Sequence, residues 1–147
     1  MTTVTAAQTV QTAPSQPARR RARLTAVGSA VLVNSVLYVA GRLAGVDFKL
    51  TAPGTVEPHQ LILPEIIAFT LLFGLLGWGA LAALERLTRR AHAIWAVLAT
   101  TVLVVSFAPI WIEHATSSTR AMLVVLHLVV ATALFPLLRQ GPGVPAK

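Results

Sequence analysis

Seven side chains within or at the edges of apolar stretches carry chemistry that those stretches must accommodate: Asn34, Tyr38, Arg42, Glu65, Glu113 in the polar loop after the third stretch, Arg120 and His127. Polar and ionisable groups within stretches long enough to enter lipid are costly. Each is therefore a functional candidate, set against the plainer reading that it holds helices together. Asn34, Tyr38 and Arg42 recur every four residues and so line one stripe of a helix. Helical rise puts Asn34 near the middle of its span and Arg42 roughly 11 Å farther out. Glu65 falls in the first turn of the next span, at a depth close to that of Arg42, where the helix dipole favours a carboxylate. An Arg42–Glu65 pair is expected to tie these two spans together across their loop. His127 lies about 3 Å from the middle of the last span. It shares a helix face with Arg120, Leu123, Ala131 and Leu134, so it is expected to look inward. There it is either a neutral imidazole bonded to Asn34, Tyr38 or a backbone carbonyl, or a group that carries protons or meets a ligand.

Other chemistries find less support. A bis-His haem needs two histidines at matched depth on facing helices, whereas His92 lies at one end of the spans and His59 and His114 at the other. An outer divalent metal would draw on His59, His114, Glu57 and Glu113, but no pair has tight helical ligand spacing, and the adjacent Glu113 and His114 diverge on a helix. Neither a metal nor another cofactor is expected. Standard nucleotide-binding and hydrolase motifs are absent from the sequence. With no cysteine, thiol redox chemistry and Cys-held iron–sulfur clusters are excluded.

The elements that position these groups follow from the apolar pattern. The 147 residues are 55% hydrophobic and 12% charged, with a mean hydropathy of +0.72; soluble domains average about 25% charged. Lipid is the expected solvent. Four apolar runs, about 24–46, 61–84, 93–112 and 120–138, predict an all-α four-helix transmembrane bundle. Residues 1–23 read as a disordered basic tail and 139–147 as a flexible tail. The first run is too long for a signal peptide, and no small-residue cleavage site precedes Arg42, so an uncleaved span is expected. Asp47 to Gln60 carries Pro53, Gly54 and Pro58 between short alternating runs, as a small hairpin-like loop would. Pro109 is expected to kink the third span or end its regular hydrogen bonding.

Nine of the twelve basic residues fall on the side of the two tails and three on the other. This distribution predicts a plasma-membrane protein with both termini in the cytoplasm. The net charge of +7 comes in short clusters beside apolar runs, so a nucleic-acid partner is not expected. Gly41 and Gly45 form a GxxxG pair that would admit a neighbouring helix, and Gly74 and Gly77 lie on one side of the second span. Gly79 and Ala83 make a small-xxx-small pair on roughly its other side, so contacts on both sides are expected. Trp78, beside these glycines, reads as a packing residue.

Four segments resemble, in their order along the chain, an actinobacterial family of small four-span membrane proteins of unknown function. They are FKLTAPG, GLLGWGALAALER, SFAPIW and TRAMLVVLHLVVATALFP. The resemblance covers about residues 24–136. It implies a fold and an envelope location without an activity, and marks Gly77, Trp78, Glu85, Arg86, Pro109, Arg120 and His127 as recurrent positions. Small multidrug exporters are similar only in size, since they are built around a Glu deep in the first span where this chain has Asn34.

Three functional classes remain open at this point. The first is a structural or partner-binding bundle resting in the bilayer, alone, as a homo-oligomer or with another membrane protein. The second is a proton-coupled transporter or channel using Glu65 and His127, which would require a homo-oligomer. The third is a membrane-embedded enzyme on a lipid-like substrate, with Glu65, Glu113 or His127 as general acid or base.

Overall fold

The computed structural model of the chain describes residues 16–139. In order these form α1 (Gln16–Leu43), β1 (Lys49–Leu50), β2 (His59–Gln60), α2 (Leu63–Leu87), α3 (Ala91–Ser106), α4 (Ala108–Ile112) and α5 (Ser117–Arg139). Four helical stretches, Arg20–Leu43, Leu63–Leu87, Ala91–Ile112 and Ser117–Leu134, are long and apolar enough to cross a membrane. The all-α bundle expected from the sequence is the observed architecture. Helix α1 packs on α2 and α5, and α2 also packs on α3. One end of the bundle carries the start of α1, the α2–α3 turn and the end of α5; it is called here the terminal end. The opposite, hairpin end carries β1, β2 and the loop before α5.

The N-terminal boundary needs correction. Helix α1 begins at Gln16, inside the 1–23 stretch read as a disordered tail, while residues 1–15 and 140–147 lie outside the described part. Arg and Ala are good helix formers. In addition, Arg23 turns inward, 6% exposed, onto Glu85 of α2, so the helix continues past the end of the apolar run. The other end of α1 is also earlier than expected. It stops at Leu43 because Gly45 takes the left-handed conformation, φ +88°. The Gly45 N–H bonds to Arg42 O at 3.1 Å and the Val46 N–H to Gly41 O at 2.9 Å, which is a Schellman cap.

The hairpin-like loop is present. Lys49 pairs with Gln60 and Leu50 with His59 in antiparallel register, and Thr51 and His114 bridge the hairpin to the segment before α5. Phe48 enters it at φ +52°, an unfavourable conformation for a bulky side chain. Its ring is fully buried, and stacks obliquely on Tyr38 at 4.6 Å between centroids. Burial of this ring offsets the local backbone strain. The third span breaks at Phe107, and Pro109 opens the short α4, as a residue without an N–H would.

Two cores hold the bundle. Tyr38, Val46, Phe48, Ile66, Ile110, Leu123 and Leu126 fill the hairpin end. Leu81 and Trp95, with Leu84, Ala99 and Leu134, fill the terminal end. The outward faces are aliphatic: Leu32, Leu72, Val97 and Val104 are between 51% and 69% exposed. An aliphatic surface of this extent is compatible with a helix bundle that faces lipid.

Candidate functional site

A cleft of about 760 Å³ opens at the hairpin end, between the β1–β2 loop and the first two turns of α2. Leu50, Val56, Leu61 and Phe69 form apolar walls, and Glu57, His59, Glu65 and Glu113 supply its charge. Each is placed by a local rule. The Pro64-containing first turn of α2 points Glu65 back over the loop, where its carboxylate accepts from the Ile62 N–H at 3.0 Å. This is half of a capping box, since Ile62 has no side-chain oxygen with which to reciprocate. The second strand brings His59 Nε2 to 3.1 Å from the same carboxylate. Glu113 ends α4, and its carbonyl accepts from Arg120 Nη2 at 3.1 Å. The Arg120 guanidinium also lies over Trp111 at 5.9 Å.

The segment that leads into β1, beside this cleft, is latched to α5. Asp47 accepts from the Thr119 hydroxyl at 2.6 Å and the Thr116 hydroxyl at 3.2 Å. The Phe48 N–H donates to Thr119 Oγ1 at 3.2 Å. Thr116 Oγ1 in turn accepts from the Thr119 N–H at 3.3 Å, capping the start of α5. The Thr119 hydroxyl holds the Asp47 carboxyl below its ordinary range; the Lys49 N–H, the Thr116 hydroxyl and the Lys49 charge assist against some desolvation. On the α1 side the Tyr38 hydroxyl donates to Leu61 O at 2.9 Å.

The Arg42–Glu65 pair expected from matched depth does not form. Arg42 is exposed and donates to the carbonyls of Val46 and Asp47, at 3.5 and 3.0 Å. With the Gln60 amide turned so that its oxygen faces Arg42, it accepts from the guanidinium at 2.7 and 3.1 Å. The Schellman cap turns the chain directly over Arg42, so backbone carbonyls reach it first. Glu65 is meanwhile taken by His59 and the Ile62 N–H.

Deeper in the bundle the polar groups are separately engaged. Asn34 Nδ2 donates to Thr70 Oγ1 at 3.1 Å, joining α1 to α2, while Asn34 Oδ1 is buried without a hydrogen-bond partner. His127 Nδ1 lies 2.7 Å from Leu123 O, one turn back in its own helix, so Nδ1 carries the proton. Its ring packs on Phe107 at 5.5 Å between centroids. Of the partners expected for His127 the structure supplies the backbone carbonyl.

The packing residues divide sharply. A methyl at Gly41 would meet Met122 Cε at 2.9 Å and the Phe48 ring at 3.0 Å, and one at Gly74 would meet Val27 at 3.2 Å. Both glycines admit a neighbour. Gly77 faces Trp95, whose Nε1 donates to Gly77 O at 2.7 Å, and Trp78 is half-buried. Gly45 is a cap rather than half of a packing pair. Gly79 has open space around it and Ala83 is exposed, so within this chain α2 lacks the contact expected along that side.

Sequence reasoning missed two clusters. At the terminal end Arg23 Nη2 meets Glu85 Oε1 at 2.6 Å, and His92 Nε2 lies 3.6 Å from the same oxygen. Opposite charges at matching ends of the first two spans were the available signal. The Asp47–Thr116–Thr119 latch was signalled only by the Thr-x-x-Thr spacing at a helix start. Among the described residues no three His, Cys, Asp or Glu side chains converge as metal ligands would.

A family model of unknown function matches residues 14–143, almost the whole chain. The chain belongs to this family, DUF6069. No curated protein and no solved structure matches the DUF6069 chain.

Proposed function

We propose that this DUF6069 chain is a multi-pass protein of the plasma membrane with cytoplasmic termini, acting as a partner-binding helical bundle whose binding face is the hairpin-end cleft. The observation that carries the reading is the cleft itself: three carboxylates and a histidine around apolar walls, next to a segment held in place by the Asp47–Thr119 latch. A pre-formed concavity of this kind costs little to organise on binding. Its chemistry suits a basic side chain on an apolar stem, such as Lys or Arg from the extracellular margin of another membrane protein. The remaining polar groups support a scaffold rather than a conduit. Arg23–Glu85, Asn34–Thr70 and His127–Leu123 O each close locally, on different parts of the bundle.

Site-specific photocrosslinking in the native membrane tests this reading. A photoreactive residue at Val56, on the cleft wall, should yield a discrete adduct that is lost in the Glu57→Gln/Glu113→Gln background. The same residue at Val97, on the aliphatic face of α3, should yield none. No adduct at Val56, or one insensitive to the two charges, would remove the cleft as the binding face.

A further inference from the structure

The terminal end carries a charge arrangement that partner binding at the hairpin end leaves unexplained. Four of the five carboxylates of the chain, Asp47, Glu57, Glu65 and Glu113, lie at the hairpin end. The fifth, Glu85, is consumed by the buried Arg23 at 2.6 Å. Around that closed pair stand Arg20, Arg21, Arg86, Arg89 and Arg90, all exposed, and none of them forms an ion pair among the described residues. Arg89 and Arg90 belong to the α2–α3 turn and Arg86 to the last turn of α2, a stretch so short that their positive charges cannot separate far. Exposed apolar side chains lie alongside: Leu87 is 81%, Leu24 48% and Ile94 44% exposed. The arginines therefore sit where the aliphatic belt of the bundle ends.

We propose that the α2–α3 turn, with the first turns of α1 beside it, is a binding site for the headgroup of an anionic phospholipid. Arginine suits this ligand because its planar fork donates two hydrogen bonds to a phosphate and its charge cannot be titrated away. A phospholipid answers both features at once: its phosphate meets the arginines while its chains cover Leu24, Leu87 and Ile94. A soluble anion would leave that apolar surface bare. Sequestering Glu85 with Arg23 matters here, since a free carboxylate at this position would repel the headgroup. The proposal is independent of the cleft, and of which side of the membrane this end faces.

The test titrates the full-length protein in neutral detergent with short-chain phosphatidylglycerol, short-chain phosphatidylcholine or inorganic phosphate, reading retained lipid by native mass spectrometry. Phosphatidylglycerol should be held about tenfold or more strongly than phosphatidylcholine, with the difference shrinking as salt is added. Arg86→Gln/Arg89→Gln/Arg90→Gln should erase the preference, whereas Arg42→Gln, at the opposite end, should preserve it. Equal retention of the two lipids by the unaltered protein would overturn the proposal whether or not the triple variant folds. Displacement of phosphatidylglycerol by an equal concentration of inorganic phosphate would overturn it too, marking a site for a soluble anion.

Discussion

Asp47 is the side chain on which the architecture of the hairpin end turns, because one carboxylate joins the loop, the cap of α5 and the strained Phe48 backbone. Its pKa in the folded protein lies below the ordinary 3.8, chiefly through the Thr119 hydroxyl. A depressed carboxylate contributes stability that is complete above its unfolded value and is lost as pH falls through the folded one. At neutral pH the unaltered protein should therefore melt above Asp47→Asn, and the gap should close as the pH falls below about 3.8. A gap that persists unchanged in acid would mean the carboxylate charge plays no part. Other residues teach how far side-chain roles are legible in sequence. Depth along a helix follows from rise, and on that measure Arg42 and Glu65 were well matched. Which neighbour arrives first does not: the cap at Gly45 folded carbonyls over Arg42, and His59 reached Glu65. His127 had a short set of expected partners, and of these it takes the Leu123 carbonyl of its own helix, so its link to the third span is the packing of its ring on Phe107 rather than a hydrogen bond.

Among elements, α1 and α2 form the pair that most needs specifying, since in the bilayer proposed for this chain lipid would supply little hydrophobic force to bring two apolar helices together. Close approach and polar contacts must do it instead. Gly74 admits Val27, Asn34 reaches Thr70, and Arg23 reaches Glu85, with the two side chains 8% and 27% exposed. Removing one partner of a fully buried ion pair costs about 3–5 kcal/mol because it leaves an uncompensated charge, whereas removing both leaves none; with Glu85 partly open to solvent the cost here is smaller. Arg23→Leu and Glu85→Leu should each lower the melting temperature in detergent, and the double variant should recover much of the loss. Additive losses would mean that the pair is not an energetic unit. Because four predominantly apolar runs of span length allow little else, the elements themselves were readable from hydropathy. Their ends were less so. The helical start at Gln16 depended on a tertiary contact, Arg23 with Glu85, and the early stop at Leu43 on the backbone freedom of one glycine.

At the scale of the molecule, the two ends are chemically distinct. Carboxylates and a latched hairpin gather at one, and unneutralised arginines at the other. That asymmetry is the basis for assigning an orientation, because positively charged loops are retained in the cytoplasm while acidic residues contribute little to the choice. It also makes orientation experimentally accessible, as the chain has no cysteine to interfere with single-site labelling. Thr55 lies in the hairpin and Ser117 at the start of α5, both exposed, while Thr88 lies in the α2–α3 turn. In intact cells a membrane-impermeant thiol reagent should modify Thr55→Cys and Ser117→Cys but leave Thr88→Cys and Gln140→Cys unmodified until the membrane is opened. The opposite pattern would invert the protein, put the carboxylate cleft in the cytoplasm and exclude an extracellular partner. Labelling of all four sites in intact cells would mean that the aliphatic belt does not separate two compartments, removing the basis for reading the four helices as membrane spans.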